Sequence, residues 1–530
     1  MMFNKFVSLL AVITMAASLT ACGGDSSSTS SSNSGDTDHH LSVLAGSELK
    51  DIESLLPEIQ KATGVTIDVT YAGTLSGIDS IESGAQTPDV AWFAQNHYFG
   101  LTDTKHLIKK STQTMISPVI LGVKESKAKE LGWIGKSVSW KDVEIAVANK
   151  KFRYAMTSPT TSNSGLAAVI GITSAFTHSG DAIKTKDVNQ QKLTEFFTGQ
   201  KLLSGSSGWL ADAYQKSESD LDGMINYESV ILALNDGKSL QQPLVPIYPQ
   251  EGSVIADYPL VLLNGTKSDD YQKVVAFIRT ADFQKEIMAD THRRPILPQV
   301  TLAPEFGHRL LVDSPFPASR ATVDTMINDY LNKHRLAAHT FYVLDKTGSM
   351  QSTDGTDSTR IQKVQDALGV LTGSDTSLTG KLAQFDDRER ITILTFSNQV
   401  EEDQTFDMKH PSDPAVFGAV RKISNDLQPG GSTAIYDALE RALNEADKDT
   451  SGRYESIVLM TDGESNRGED ADTFVANYQN RKHKIRIFPI FIGEASPEEL
   501  QKIADVSGGQ TFDARTKPLP EVFKDIRGYQ

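Results

Sequence analysis

Residues 342–349, Tyr-Val-Leu-Asp-Lys-Thr-Gly-Ser, carry a short apolar run straight into a polar turn. Tyr342 to Leu344 read as a buried strand. It ends on Asp345, then on two hydroxyls two residues apart, Thr347 and Ser349, with Gly348 between them to let the chain turn sharply. A strand buried on both faces needs helices on both sides, which commits this part of the chain to an α/β sheet. One carboxylate and two hydroxyls are hard oxygen donors, suited to Mg²⁺ or Ca²⁺ rather than to zinc or copper. Asp, Ser and Thr are also the ordinary residues of turns that open helices, so one such stretch does not define a site.

Two further stretches do more. Pro429-Gly430-Gly431-Ser432-Thr433 precedes a helical pattern with Ile435, Ala438, Leu439, Ala442 and Leu443 on one face. Ile457 to Met460 form a second apolar run, ending at Thr461-Asp462-Gly463. D-x-T-x-S, a Thr after glycines, then T-D-G, in that order over residues 338–530, resemble the von Willebrand factor A (vWA) domain and its metal-ion-dependent adhesion site. The resemblance implies a doubly wound, Rossmann-like fold in which Asp345, Thr347, Ser349, Thr433 and Asp462 surround one Mg²⁺, or Ca²⁺ or Mn²⁺ in its place. It also implies a protein partner whose Asp or Glu carboxylate completes the coordination. Thr347 stands where the family usually has Ser, so the hydroxyl is kept and a methyl added.

The same region predicts strands at 340–344, 391–396, 456–460 and 485–492, with helices at 360–371, 413–427, 434–447, 470–481, 497–506 and 518–528. Lys346 is the only basic residue beside the acidic motifs. Set between two metal-facing neighbours, it should point away, so Asp345 and Asp462 are expected to repel each other without an ion. Asp354 and Asp357 follow closely, but their spacing fits no calcium loop and reads as a solvated turn.

At the other end, Lys5 is followed by the mostly apolar Phe6–Leu19. That run is too short to span a bilayer and reads as the core of an export signal. It closes on Leu19-Thr20-Ala21-Cys22, which resembles a bacterial lipoprotein box. The resemblance implies lipid, palmitate included, on Cys22 and a membrane anchor in the cell envelope, facing the periplasm or the cell surface. Cys22 is the only cysteine in 530 residues, so no internal disulfide is available. Residues 23–39 are rich in Ser, Gly and Asp and read as a flexible tether. The net charge of −16 argues against a nucleic-acid partner.

Residues 40–320 alternate strands and helices. Leu41–Ala45, Val65–Tyr71 and Pro88–Phe93 read as strands, the first two followed by Gly46-Ser47 and Gly73-Thr74 at helix starts. Leu49, Ile52, Leu56 and Ile59 share one helical face, interrupted by Pro57 and closed by Gly64. Ser117–Val123, Thr157–Gly165, Met224–Ser229 and Tyr258–Leu262 complete an order that resembles a two-lobed type II periplasmic solute-binding protein. The resemblance implies a cleft between lobes that takes a small solute, an oxyanion in the branch it is nearest to. Helix N-termini favour anions, which makes Ser47, Thr74, Ser162 and Ser164 candidate ligand residues, with Tyr227 beside them. Ser and Thr are equally the preferred N-caps, worth about 1 kcal/mol each without any ligand. Gln95 replaces an acidic residue of the resembled pattern, and Glu228 is expected near the cleft, where it would disfavour an anion. A linker helix at 321–337 joins the two parts.

Gly135-Lys136-Ser137 looks like the tail of a phosphate loop, but Glu130 stands where its first glycine should be. H-E-x-x-H and G-x-S-x-G are absent from the sequence, and no nucleophile is placed with a base, so no enzyme is expected. The reading is an envelope lipoprotein that binds a protein partner through a metal-dependent vWA site, with solute sensing coupled to it. The alternative is the substrate-binding receptor of an ABC-type permease with the vWA domain as a docking accessory.

Overall fold

The computed structural model describes residues 39–530, apart from 178–182, 184–185, 187, 308–309 and 411. The expected export signal with Cys22, and the expected tether up to residue 38, lie outside the described residues. Among the described residues no helix is long and apolar enough to cross a membrane.

The first half is built on two sheets. Its strands are β1 (His40–Gly46), β2 (Thr66–Ala72), β3 (Val90–Trp92), β4 (Lys110–Gln113), β5 (Ser117–Lys124), β6 (Tyr154–Thr157), β7 (Gln200–Ser204), β8 (Gly223–Tyr227), β9 (Leu244–Ile247), β10 (Ile255–Ala256) and β11 (Pro259–Leu262). One sheet runs β2-β1-β3-β11-β4, the other β10-β5-β8-β6-β7 with β9 also on β5. The chain therefore crosses to the second lobe as β5 begins and returns as β11 begins. The face of Leu49 to Ile59 is not one helix. Ser47–Leu55 is a tighter 3₁₀ turn, and the α-helix restarts at Leu56–Thr63 with Pro57 in its first turn. Proline has no N–H to donate and fits that turn only. Gly64 closes the helix at φ 72°, a left-handed conformation cheap only for glycine.

The second half adds β12 (Ala338–Asp345), β13 (Arg390–Phe396), β14 (Val400–Asp407), β15 (Tyr454–Thr461), β16 (Arg486–Phe491) and β17 (Phe512–Asp513), ordered β14-β13-β12-β15-β16-β17. All neighbours are parallel except β13 and β14. Alternate residues of each strand enter opposite layers. Tyr342, Leu344, Val458 and Met460 face one, whereas Phe341, Val343, Ile457 and Leu459 face the other. The helices Arg360–Leu371, Pro414–Asp426 and Leu519–Arg527 cover the first layer, and Ile435–Ala446, Ala471–Asn480 and Pro497–Ser507 the second. This is the α/β, doubly wound architecture that the sequence predicts. β14, β17 and the short helix Leu378–Ala383 are additions to the predicted set.

Between the halves, Arg320–Asp329 is helical and continues into a wider turn at Tyr330–His334. Val323, Met326, Ile327 and Tyr330 bury in the core of the first half. The halves also touch beyond this segment. Thr379 donates its N–H (3.2 Å) and hydroxyl (2.8 Å) to Asp79 of the first lobe. Tyr529 packs edge-on to Trp209 of the second lobe at 4.8 Å between centroids. Gly205 makes this fit possible, since a Cβ there would stand 2.4 Å from the Tyr529 ring.

Candidate functional site

β12 is flanked by β13 on one side and β15 on the other, so the strand order reverses between β12 and β15. In open α/β sheets ligands bind outside the carboxyl ends of the strands at such a reversal. Leu344 pairs with Met460 across it, which brings Asp345 beside Thr461 and Asp462 just beyond.

Asp345 is fully buried and held at both oxygens. The Thr347 N–H donates to Oδ1 and the Thr461 hydroxyl to Oδ2, each at 2.7 Å. Burial raises the Asp345 carboxyl to about 6; those hydrogen bonds pull it down and the nearby Asp462 charge pushes it up. The Thr347 and Ser349 hydroxyls are hydrogen-bonded at 3.1 Å, and Ser349 donates to Asp462 Oδ1 at 2.7 Å. The glycine loop is tied in by its backbone. Gly348 N–H donates to Gly431 O (3.3 Å) and Gly430 N–H to Lys346 O (2.8 Å). Thr433 is buried against the T-D-G turn, where a Cβ on Gly463 would stand 3.9 Å from Thr433 Oγ1. Lys346 turns outward to Glu401 at 2.7 Å, as its position between Asp345 and Thr347 predicts.

Two expectations fail here. Asp462 is not without a basic neighbour, because Arg360, the first residue of helix Arg360–Leu371, donates Nη1–H to Asp462 Oδ2 at 2.7 Å. Asp354 is not merely a solvated turn residue, because its carboxylate takes Nε (2.9 Å) and Nη2 (2.5 Å) of the same guanidinium. Gly493, at φ 59°, lets the backbone approach that group; a Cβ there would be 2.1 Å from Arg360 Cζ. A Thr359 N-cap before Arg360 was the one local signal that the arginine sits at a helix start near the site. The partner, 102 residues away, is set by topology.

The residues fit a hard divalent ion. Two carboxylates and three hydroxyls gather at one edge, with Asp345 pre-oriented by two donors. Arg360 occupies Asp462 Oδ2 and so reduces the negative charge the pair presents.

The five solute-cleft candidates are placed differently. Gln95 of the first lobe donates to Asn163 Oδ1 (2.9 Å), and Asn163 donates to the Tyr227 hydroxyl (3.0 Å), so Tyr227 joins a direct bridge across the cleft. Ser164 bonds to Thr157 and Ser207, both at 2.7 Å, and Ser162 reaches Ser164 at 3.1 Å. Thr74 is buried, and its hydroxyl has no hydrogen-bond partner. At the helix starts the lobes are in contact, since a Cβ on Gly73 would be 2.3 Å from Thr161 O. Ser47 lines a cavity of about 780 Å³ that borders that contact at Gly73 and Thr161, together with Asp79, Ser206 and Lys524. Glu228 does not face the cleft. It is fully buried and takes Nε (2.7 Å) and Nη2 (2.8 Å) of Arg294.

Residues 341–524 match the family model of the von Willebrand factor type A domain, and residues 41–290 that of the bacterial extracellular solute-binding proteins. The ferric binding protein from Campylobacter jejuni is 14% identical over 55% of this chain and 98% of its own, with a TM-score of 0.43. The periplasmic binding protein AfuA from Actinobacillus pleuropneumoniae, with fructose-6-phosphate bound, is 15% identical over 56% and 99%, with a TM-score of 0.43. A von Willebrand factor type A protein from Catenulispora acidiphila is 19% identical over 36% of this chain and 42% of its own, with a TM-score of 0.29. No curated protein matches the chain.

Proposed function

We propose that this chain, a bacterial solute-binding region joined to a vWA domain, is an exported envelope lipoprotein that captures a protein partner through a divalent cation. Asp345, Thr347, Ser349, Thr433 and Asp462 hold the cation, and Cys22 carries the lipid. What supports the reading is that Asp345, Thr347, Ser349 and Asp462 are linked by hydrogen bonds at the reversal point of the sheet, with Thr433 buried against the turn at Gly463. The bound ion supplies a positive vacancy for an Asp or Glu of the partner. The protein's own work is orientation. Thr347 N–H and Thr461 fix the Asp345 carboxylate, Ser349 fixes Asp462, and Arg360 sets how much negative charge remains. The action is binding, not catalysis.

Solute sensing is coupled to this capture in our reading. What supports it is the seat of the vWA half on both lobes, through Thr379 on Asp79 and Tyr529 in the Gly205 notch. A second reading, a receptor that delivers solute to an ABC-type permease, draws on the match of residues 41–290. Calorimetric titration of Mg²⁺ into the full chain tests the first. Wild type should saturate and Asp345→Ala should give no binding heat; equal heats sink the metal site. Partner capture from membranes should be lost on adding chelator. Capture of permease subunits that persists in chelator supports the second reading.

A further inference from the structure

The vWA sheet has a second polar cluster at its opposite edge. His339 is the second residue of β12, and its register partners are Glu455, second in β15, and Arg390, first in β13. Paired residues of parallel strands share a face, so these side chains stand in a row at the amino ends of the strands. Asp449, in the turn before β15, closes over them. His339 Nδ1 lies 2.7 Å from Asp449 Oδ2, and one ligand atom each of His339, Asp449 and Glu455 lie within 4.8 Å of one another.

Three features distinguish this cluster from a simple histidine–aspartate pair. Glu455 is 8% exposed in its side chain, yet its Oε1 is buried without a hydrogen-bond partner. An unpaired buried carboxylate oxygen is costly, and native structures rarely leave one without a ligand or ion. The His339 ring is oriented from behind, since Nε2 meets Thr392 Oγ1 at 2.9 Å and Thr392 meets Thr405 at 2.9 Å. At 2.7 Å the Nδ1–H donates to Asp449, and an ion entering at Nδ1 takes the other tautomer, in which Nε2–H donates to Thr392 as the outer partners of metal-binding histidines do. The Glu455 carboxylate is braced in the same way. Its Oε2 takes His483 Nε2 at 2.8 Å, and His483, 42% exposed, stands at the mouth of the cluster. Asp449 is itself paired, its Oδ2 with Arg390 Nη1 at 3.2 Å and its Oδ1 with the Ser451 N–H at 2.8 Å, so an ion there displaces Arg390, which keeps Asp407 at 2.8 Å; Arg453 faces Asp407 at 3.7 Å.

We infer that His339 Nδ1, Asp449 and Glu455 Oε1 form a second metal site, for a transition-metal dication such as Zn²⁺. Mixed imidazole and carboxylate ligands select zinc and its neighbours over magnesium, in contrast to the all-oxygen set at Asp345. The ion fastens the turn at Asp449 to β12 and β15 and relieves the orphaned Glu455 oxygen.

The test uses the full chain with Mg²⁺ in excess, which masks the Asp345 site. Equilibrium dialysis with Zn²⁺ should give one bound ion per chain, and Co²⁺ in its place should give a visible d–d band. Glu455→Gln, which keeps the shape and the contact to His483, and His339→Gln should each weaken binding at least tenfold and dim the band. Asp345→Ala should leave both unchanged, which separates this site from the proposed adhesion site. Zn²⁺ should also raise the melting temperature of wild type but not of Glu455→Gln. The inference falls if wild type binds no Zn²⁺ under these conditions, or if Glu455→Gln binds it as tightly as wild type.

Discussion

Replacing Arg360 with Met removes the guanidinium and keeps the length of the side chain. Arg360 is 4% exposed and Asp462 1% exposed, and Asp462 Oδ2 depends on that guanidinium at 2.7 Å. Breaking a buried pair by removing one partner costs about 3–5 kcal/mol, because the other charge is left uncompensated. Asp354, the other partner, is 29% exposed and can return to water, so the lower end, about 3 kcal/mol, applies here. The effect on a bound dication has the opposite sign. Unit charges 4 Å apart interact by about 4 kcal/mol at the effective dielectric near a protein surface. A guanidinium on the far oxygen of Asp462 therefore opposes Mg²⁺ by a few kcal/mol after screening. Arg360→Met should melt earlier than wild type in chelator, recover most of that loss in Mg²⁺, and bind Mg²⁺ at least about tenfold more tightly, since each tenfold is about 1.4 kcal/mol. Calorimetry and melting with and without Mg²⁺ read both halves. Mg²⁺ affinity equal to or weaker than that of a wild type that does bind would refute the charge argument.

Two further outcomes follow from buried groups elsewhere. Burial pushes His334 down to about 4, below the ordinary value near 6.5, so the native chain binds fewer protons than the unfolded chain between those limits. Stability then rises with pH across that window and is lost as pH falls through it, by on the order of 1–3 kcal/mol; denaturant melts from pH 7 to pH 4 should show a shallower fall in His334→Asn, and an identical slope would refute the assignment. Tyr529 is 5% exposed and packs on Trp209, Phe488 and Phe512. Its loss in Tyr529→Ala should cost about 3 kcal/mol, as for other large buried rings, and calorimetric melting should resolve two transitions where wild type shows one.

Much of the second half was legible because its signals are local. Apolar runs of strand length end on Asp345 and Asp462, and amphipathic helices fall between them, so each element could be read within its own window. β14 escaped because Val-Glu-Glu-Asp-Gln-Thr-Phe-Asp is an antiparallel edge strand with little apolar content. The helix at Leu378–Ala383 is too short for a periodic signal, and it is held by a contact to Asp79, 300 residues away. Arg360 with Asp462 and Arg294 with Glu228 show the same limit for charge. Neither arginine was singled out from the sequence, and each is buried where a distant carboxylate meets it. The partners of the cleft hydroxyls were out of reach of the sequence for a related reason. Ser162 and Ser164 suit an anion in isolation, but Ser207 and Thr157 claim their hydroxyls once the strands are assembled.

The proposed coupling between cleft and adhesion site has a physical route through the second half. Asp462 is bound by Arg360, which opens the helix Arg360–Leu371. That helix packs along Leu519–Arg527, and Tyr529 just beyond it fills the notch at Gly205. Arg527 is meanwhile pinned at Glu389 (2.8 Å) and Asp386 (3.0 Å), and Asp386 also binds Arg335 from the segment joining the halves at 2.5 Å. A buried charge cluster of this kind resists gradual deformation, so helix Leu519–Arg527 moves as a unit or not at all. A metal that competes with Arg360 for Asp462 loosens the start of one helix, whereas a change in lobe separation acts on the end of the other. The contacts run without a break from Asp462 to Gly205. What this fixes is where coupling must fail: Tyr529→Ala should leave Mg²⁺ binding intact while removing any dependence of Mg²⁺ affinity on solute.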